Sequence, residues 1–193
     1  MRAVIPTFLA CLACGCSALE APDRFGSLTL HGGSAAERGQ FGVGGHVFRD
    51  RDPGFFFSLG GSGDFKDYPE YAPGTAASFG DPVQDTQVSA IGVGFGPTWG
   101  WDFEEPWTEG KPRHAGVFAG PYLGTIDEQL VYDDPTGILE EGQGGYVEGT
   151  GDSDFEIGAI FGAQLLFESI AIGVQYDSFH EGVAFSIGVT FGR

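Results

Sequence analysis

The chain has 193 residues, of which 34 are glycine, and aromatic residues reach 14% while charged residues reach only 19%. So little charge is unusual for a soluble globular protein, and the chain is too rich in Phe, Val and Ile for a disordered one. The formal charge of −18 argues against nucleic acid as a partner, because one polyanion repels another. Divalent cations and basic surfaces fit this charge better.

The first segment, residues 1–21, has the layout of a secretory leader. A positive charge is followed by the apolar stretch Val4–Ala13 and then by small residues. Cleavage after Ala18 would satisfy the small-x-small rule of ordinary signal peptidase. A second route is open, because the run A-C-G-C resembles a lipobox with Cys16 as the lipidated first residue. All three cysteines lie in this leader, so we expect no disulfide framework in the mature chain, residues 22–193.

Beyond the leader, apolar residues recur at every second position, which predicts β-strands. From Phe155 to Phe167 the apolar side chains alternate with small or polar ones such as Gly158 and Gln164. An even number of strands lets a single chain close into a barrel with both termini on one side. Eight such segments are predicted: Gly26–Gly32, Gln40–Phe48, Gly54–Gly61, Thr86–Asp102, His114–Leu123, Asp154–Phe167, Ser169–Asp177 and Gly182–Gly192.

The predicted connections alternate between short and long. Arg49–Pro53 and Glu168 are typical of tight turns, whereas Ser62–Asp85 and Gly124–Ser153 are long and polar. Membrane barrels commonly place short turns in the periplasm and long loops outside. Phe103–Arg113 departs from this rule, because it should be a periplasmic turn and is longer than expected.

The second face of each strand consists mostly of Gly, Ala, Ser, Thr and Gln. Such a face suits the narrow lumen of an eight-stranded barrel better than a water-exposed surface. The apolar face would then contact lipid, and closure would leave no unpaired backbone in hydrocarbon. The sequence therefore predicts an all-β, eight-stranded, antiparallel up-and-down transmembrane β-barrel. Interfacial aromatic girdles are expected from residues near the strand ends: Trp99, Trp101, Trp107, Tyr122 and Tyr176.

The G-x-G strands and the closing segment Val183–Arg193 resemble the outer-membrane β-barrel domain family of small OmpA/OmpX-like proteins. Ser186–Phe191 is similar to the terminal assembly signal of such proteins, polar-x-Gly-x-x-aromatic. The chain departs from that pattern by ending on Gly192 and Arg193 rather than on an aromatic residue. The resemblance covers most of the mature chain and implies the bacterial outer membrane, with its lipid as a partner.

Candidate binding residues concentrate in the two long, acidic loops. Asp152, Asp154 and Glu156 alternate loosely as in a calcium loop, but the rest of the EF-hand spacing is missing. A solvated acidic rim explains the same residues, so we expect at most weak binding of divalent cations and no cofactor. Histidines on the predicted strands are expected in the lumen beside polar neighbours: His31, His46 and His114.

The last predicted hairpin carries Ser178, His180 and Glu181. Some small outer-membrane barrels are enzymes that modify lipid A with these residue types, but a nucleophile and its base must meet within hydrogen-bond reach. Three hypotheses follow. The chain is a non-enzymatic barrel that serves envelope structure or surface interaction through acidic extracellular loops, a lipid A-modifying hydrolase, or a soluble lipocalin-like carrier. A diffusive pore is disfavoured, because side chains fill an eight-stranded lumen.

Overall fold

The computed structural model describes residues 24–35, 38–49, 52–64, 68–80, 83–103, 112–134, 144–148 and 153–192. These residues form ten strands and one short helix, α1 (Thr75–Phe79). The strands are β1 (Arg24–Ala35), β2 (Arg38–Arg49), β3 (Gly54–Gly63), β4 (Glu70–Tyr71), β5 (Val83–Asp102), β6 (His114–Asp133), β7 (Gly145–Glu148), β8 (Asp154–Leu166), β9 (Ile170–Asp177) and β10 (Gly182–Gly192). The predicted leader and Cys16 lie outside the described residues. In the part of the chain described, no helix is long and apolar enough to cross a membrane.

Eight of the strands close into one antiparallel barrel. Each barrel strand pairs with the next one along the chain, and β1 pairs with β10 to complete the ring. This topology confirms the predicted all-β, eight-stranded, antiparallel up-and-down barrel. Arg24 and Gly192 lie at one end of the barrel, here called the terminus end. The opposite end carries the connections between β3 and β5 and between β6 and β8, and is called the loop end.

Strand β6 is longer than its sequence pattern predicts. It continues past Leu123 to Asp133 and pairs with β5 as far as Val83, so the prediction that a loop begins at Gly124 is wrong. The extension carries charge on both faces, at Asp127 on one and Glu128 on the other, which hides the period-two pattern. The extension is a strand because it pairs with β5 and β7, and not because it has a hydrophobic pattern.

A small cap sits on the loop end and was not predicted. Strand β7 pairs antiparallel with the end of β6 and parallel with β4. The carboxylate of Glu148 on β7 accepts hydrogen bonds from the backbone N–H groups of Gly74, at 2.9 Å, and of Ala76. Glu148 thereby ties the segment that contains α1 to the segment that contains β7.

The outer surface of the barrel is a continuous apolar belt, and every barrel strand contributes to it. Ile157 and Phe185 are each 70% exposed, and Trp99 and Trp101 are exposed near the terminus end. On β10 the belt runs from Val183 to Phe191, which at about 3.3 Å per residue and a tilt of about 40° projects about 20 Å. The further members are Leu28, Leu30, Phe41, Phe55, Ile91, Val93, Phe95, Val117, Phe155, Phe161, Leu165, Ile170, Ile172, Val174, Ile187 and Val189.

The lumen is filled by aromatic as well as by small and polar side chains. Phe25 and Phe48 pack with Leu166 at the terminus end, and a second cluster contains Phe56, Phe118, Tyr122, Ile160 and Phe179. The expected girdle position of Tyr122 is therefore wrong, because its side chain faces inward and is 1% exposed. Inward-facing glycines make room for these rings. A Cβ at Gly92 would lie 2.4 Å from Tyr122 Cε1.

Candidate functional site

Four polar side chains form a buried cluster in the lumen near the loop end. His31 on β1, Gln40 on β2, Asp177 at the end of β9 and His180 in the β9–β10 turn are each at most 5% exposed. These four residues are called the lumen cluster. Burial of so many polar groups is costly unless each finds a partner, which makes this cluster the first place to look for function.

Asp177 is the centre of the lumen cluster. Its Oδ1 accepts hydrogen bonds from the backbone N–H of His180, at 2.6 Å, and from His180 Nδ1, at 2.8 Å. Its Oδ2 accepts a hydrogen bond from Gln40 Nε2, which also lies 3.3 Å from His180 Nδ1. The carboxylate thus fixes both the turn and the orientation of the imidazole, as carboxylates hydrogen-bonded to catalytic or metal-binding histidines do.

Aromatic rings cover the lumen cluster. Tyr122 lies edge-on to His180 with ring centroids 5.1 Å apart, and its hydroxyl donates to the carbonyl of Gly92 at 3.0 Å. Phe179 turns inward from the same β9–β10 turn and packs on Tyr122 at 5.2 Å. A Cβ at Gly158 would lie 2.8 Å from Phe179 Cβ, so this glycine forms part of the socket for the turn.

Several polar atoms around the lumen cluster have no hydrogen-bond partner among the described residues. They are His31 Nδ1, Gln40 Oε1, Gln175 Nε2 and His180 Nε2. With Nδ1–H directed at Asp177, the neutral imidazole of His180 presents Nε2 as an acceptor, which is the arrangement of a general base. The side chain of His180 is fully buried, however, and packs against the rings of both Tyr122 and Phe179.

The predicted catalytic residues are not brought together. Ser178 is exposed, and its Oγ accepts a hydrogen bond from the backbone N–H of Ala159 at 2.9 Å. His180 points the other way, into the lumen, and its acidic partner is Asp177 rather than the exposed Glu181. Glu181 has a positive φ of 54°, so the turn itself is tight. In this turn Ser178 and Glu181 face outward while Phe179 and His180 face inward, which is why proximity in sequence misleads here.

The predicted cation-binding residues lie at the loop end. Asp154 and Glu156 are exposed on β8, and Asp152 lies outside the described residues. Within the described part of the chain, no group of three His, Cys, Asp or Glu residues could hold a metal ion. Arg38, bridged to Asp64 at 3.6 Å, is the one described Lys or Arg at this end. The described carboxylates there are Asp64, Glu70, Asp127, Glu128, Asp133, Asp134, Glu148, Asp154, Glu156 and Glu181.

Two of the strand histidines, His46 and His114, have the expected polar neighbours, whereas His31 Nδ1 has no hydrogen-bond partner among the described residues. His46 is 1% exposed in the lumen, and Gln164 Nε2 lies 3.1 Å from its Nδ1 while Gln164 Oε1 accepts from Ser27 Oγ at 2.7 Å. His114 is half-buried at the terminus end, where its Nδ1 lies 2.5 Å from Asp102 Oδ1 and its ring stacks on Phe25.

Sequence reasoning missed Asp177 and Gln40 as members of the site. In the sequence, Asp177 has the pattern of an ordinary polar residue at a strand end. It is buried only because the turn that follows it folds into the lumen. Gln40 carries a weak signal, because it occupies the same strand face as His46. This shared face predicts that the amide of Gln40 lies in the lumen. It does not predict that the amide contacts the carboxylate of Asp177, which belongs to a strand far away in sequence.

Comparisons with known proteins add little to this geometry. No family model matches the chain, and no curated protein matches it. Among solved structures, the chain is similar to the crystal structure of Neisserial surface protein A (NspA), with 10% identity, a TM-score of 0.35, and coverage of 86% of this chain and 92% of that one. The barrel is established by the strand pairing of this chain itself.

Proposed function

We propose that this protein is a non-enzymatic barrel of the bacterial outer membrane that serves envelope structure or surface interaction through its acidic loop end. The observation that carries the proposal is the apolar belt. A closed barrel with large apolar side chains on the outside, and few charges between them, is stable in lipid and poorly soluble in water. A soluble carrier would need the reverse arrangement, with charges outside and an apolar interior.

The acidic loop end supports a role at the cell surface. Its carboxylates would stand in water above the belt, where they attract divalent cations or basic surfaces, and repel polyanions. We expect any binding of cations to such a solvated acidic rim to be weak and not selective.

Fractionation without detergent tests the location. We expect the chain to sediment with the outer membrane and to resist extraction by alkaline carbonate. Recovery in the aqueous periplasmic fraction would contradict the proposal and would favour the soluble carrier.

The second candidate function is a lipid A-modifying hydrolase, and the Asp177–His180 pair favours it. His180 Nε2 is buried and unpartnered among the described residues, and Asp177 orients the ring as in hydrolytic sites. Mass spectrometry of lipid A from cells with and without the protein checks this function. A lipid A modification that is lost in a folded His180→Ala variant and kept in Ser178→Ala would establish the hydrolase. That result would overturn the non-enzymatic proposal. Unchanged lipid A in all strains is the result we expect.

A further inference from the structure

The ladder between β5 and β6 is interrupted in the middle of the barrel wall. The two strands pair up to Gly94 and again from Thr98, in one register, but residues 95–97 do not pair with residues 119–121. Every other pair of neighbouring barrel strands has a continuous ladder over its described residues. The interrupted stretch is called the β5–β6 seam.

Two prolines interrupt this ladder. The register places Pro97 opposite Ala119 and Pro121 opposite Phe95. The carbonyls of Ala119 and Phe95 point across the seam, because a Cβ built on a glycine of the facing strand would lie 2.5 Å from Ala119 O and 2.0 Å from Phe95 O. In an antiparallel ladder the opposite residue returns an N–H to such a carbonyl, but proline has no N–H. Both carbonyls therefore lack their ladder donor.

The β5–β6 seam lies within the apolar belt. Pro97 and Pro121 are both exposed on the outer face, and on β5 the seam is flanked by the exposed belt residues Val93 and Trp99. A backbone carbonyl without a donor is costly in hydrocarbon, because no water is present to replace the missing partner. Hydrogen bonding therefore holds β5 and β6 together less firmly at the seam than along the continuous ladders of the wall.

On the lumen side, no side chain covers the seam from its own strands, because Gly96 and Gly120 face inward there. Aromatic rings lie directly behind this backbone. A Cβ at Gly96 would lie 3.0 Å from Phe56 Cε1, and a Cβ at Gly94 would lie 2.8 Å from Tyr122 Cδ2. Both rings belong to the buried apolar cluster of the lumen. A gap at the seam would thus connect the hydrocarbon of the membrane with an apolar part of the lumen.

We propose that β5 and β6 separate locally at the seam, which gives the barrel wall a lateral opening between the membrane hydrocarbon and the apolar part of the lumen. The ladder bonds that can still form there run from Phe95 N–H to Pro121 O and from Ala119 N–H to Pro97 O. Strands β3 and β8 pair continuously with the outer edges of the seam, so the opening is local and the barrel stays closed at both ends. The opening goes beyond the proposed function and presupposes only the membrane location.

Amide hydrogen exchange and relaxation dispersion, both measured by NMR on the folded protein in detergent micelles, test the opening. The amides of Phe95 and Ala119 are compared with those of Val93 and Val117, which flank the seam on the same two strands and have complete ladders. We expect the seam amides to exchange about fivefold faster or more, as for the loss of one hydrogen bond. They should also show motion on the μs–ms timescale, which the flanking amides lack.

Replacing either proline restores one N–H to the seam. We expect Pro97→Val and Pro121→Val each to slow the exchange of the Phe95 and Ala119 amides about fivefold and to suppress their dispersion. The matched control is Ala163→Val, which adds the same side chain to the exposed face of β8, where the ladder to β6 is already continuous. It should leave the seam amides unchanged. The mobility of each unboiled variant on a gel reports whether the barrel is intact, and the comparison within the wild type needs no variant.

Three outcomes would overturn the inference. The first is equal protection of the seam amides and the flanking amides in the wild type. The second is exchange at the seam that stays equally fast in both proline variants. The third is an equal slowing in Ala163→Val, which would show an effect of apolar bulk rather than of the restored N–H. A folded, membrane-inserted barrel with any of these results leaves the proposed function standing. A wild-type chain that fails to enter micelles or bilayers contradicts the proposed function itself.

Discussion

The carboxylate of Asp177 accepts hydrogen bonds from His180 N, His180 Nδ1 and Gln40 Nε2 inside the barrel. Removing it leaves these buried donors without an acceptor. We expect Asp177→Ala to lower the free energy of unfolding by about 1–3 kcal/mol, measured by urea titration in detergent micelles. The control is Asp154→Ala, an exposed acid at the same end, which should change stability by about 0.5 kcal/mol or less. Equal effects in the two variants would contradict a structural role for Asp177.

Gly116 on β6 makes room for the ring of Phe48. A Cβ there would lie 2.2 Å from Phe48 Cε1, inside the packed lumen. We expect Gly116→Ala to destabilise the barrel by about 1–3 kcal/mol through overpacking. Gly63→Ala is the matched control, because a Cβ at Gly63 meets nothing within 4 Å. If both alanines are tolerated alike in urea unfolding, glycine is not needed for this packing.

At the residue scale, only part of the lumen could be predicted from the sequence. The parity of the strands places His31 and His46 inward, because each shares a face with small residues. Tyr122 shares the inward face with glycines too, yet aromatic residues near strand ends favour a girdle interpretation. Which aromatic fills the lumen depends on the space left by glycines on neighbouring strands, and a single strand does not contain that information.

The β10 strand presents an apolar face to the outside along its whole length, and Ile187 lies at its centre with 62% of its surface exposed. An arginine at the middle of a lipid-facing strand costs about 2–4 kcal/mol in a membrane barrel. We therefore expect Ile187→Arg to lower the folding yield into lipid vesicles and the free energy of unfolding by that amount. Phe79→Arg, at an exposed apolar residue of α1 outside the belt, should have little effect. Tolerance of Ile187→Arg would indicate a water-facing strand.

The cap on the loop end depends on Glu148 as a link between two segments. Its carboxylate, on β7, accepts hydrogen bonds from the backbone N–H groups of Gly74 and Ala76 in the segment that contains α1. We expect Glu148→Ala to speed proteolytic cleavage between residues 64 and 82 several-fold, while the barrel strands stay protected. The conservative control is Glu148→Gln, which keeps one acceptor oxygen. Its cleavage rate should lie between those of the wild type and Glu148→Ala. Unchanged cleavage would show that other contacts hold this segment.

At the element scale, the barrel strands follow from period two, since each has one apolar and one small or polar face. The terminal strands β8, β9 and β10 lie within a few residues of their predicted bounds. The upper part of β6 and the short strands β4 and β7 could not be predicted, because pairing with neighbours, rather than a hydrophobic pattern, holds them. The upper part of β6 carries charge on both faces, at Asp127 and Glu128, and β4 and β7 are too short to show a period-two pattern.

The whole molecule is asymmetric along the barrel axis. The described loop end carries many carboxylates and a single arginine, Arg38, whereas the terminus end carries Arg24, Arg49 and Arg113 beside Asp52, Asp102 and Glu168. This asymmetry matches a barrel whose two ends meet different solutions and different leaflets. The sequence shows the net charge of −18 but not its distribution, which appears only once the strands are paired.

The mobility of the detergent-extracted protein on a gel, unboiled against boiled, tests the central claim most directly. A closed barrel keeps its full ring of strand pairs in mild detergent and unfolds only on heating, so the unboiled sample runs as a more compact species. We expect a clear shift between the two samples of the membrane fraction. A single, unshifted band from a protein found in the soluble fraction would contradict it.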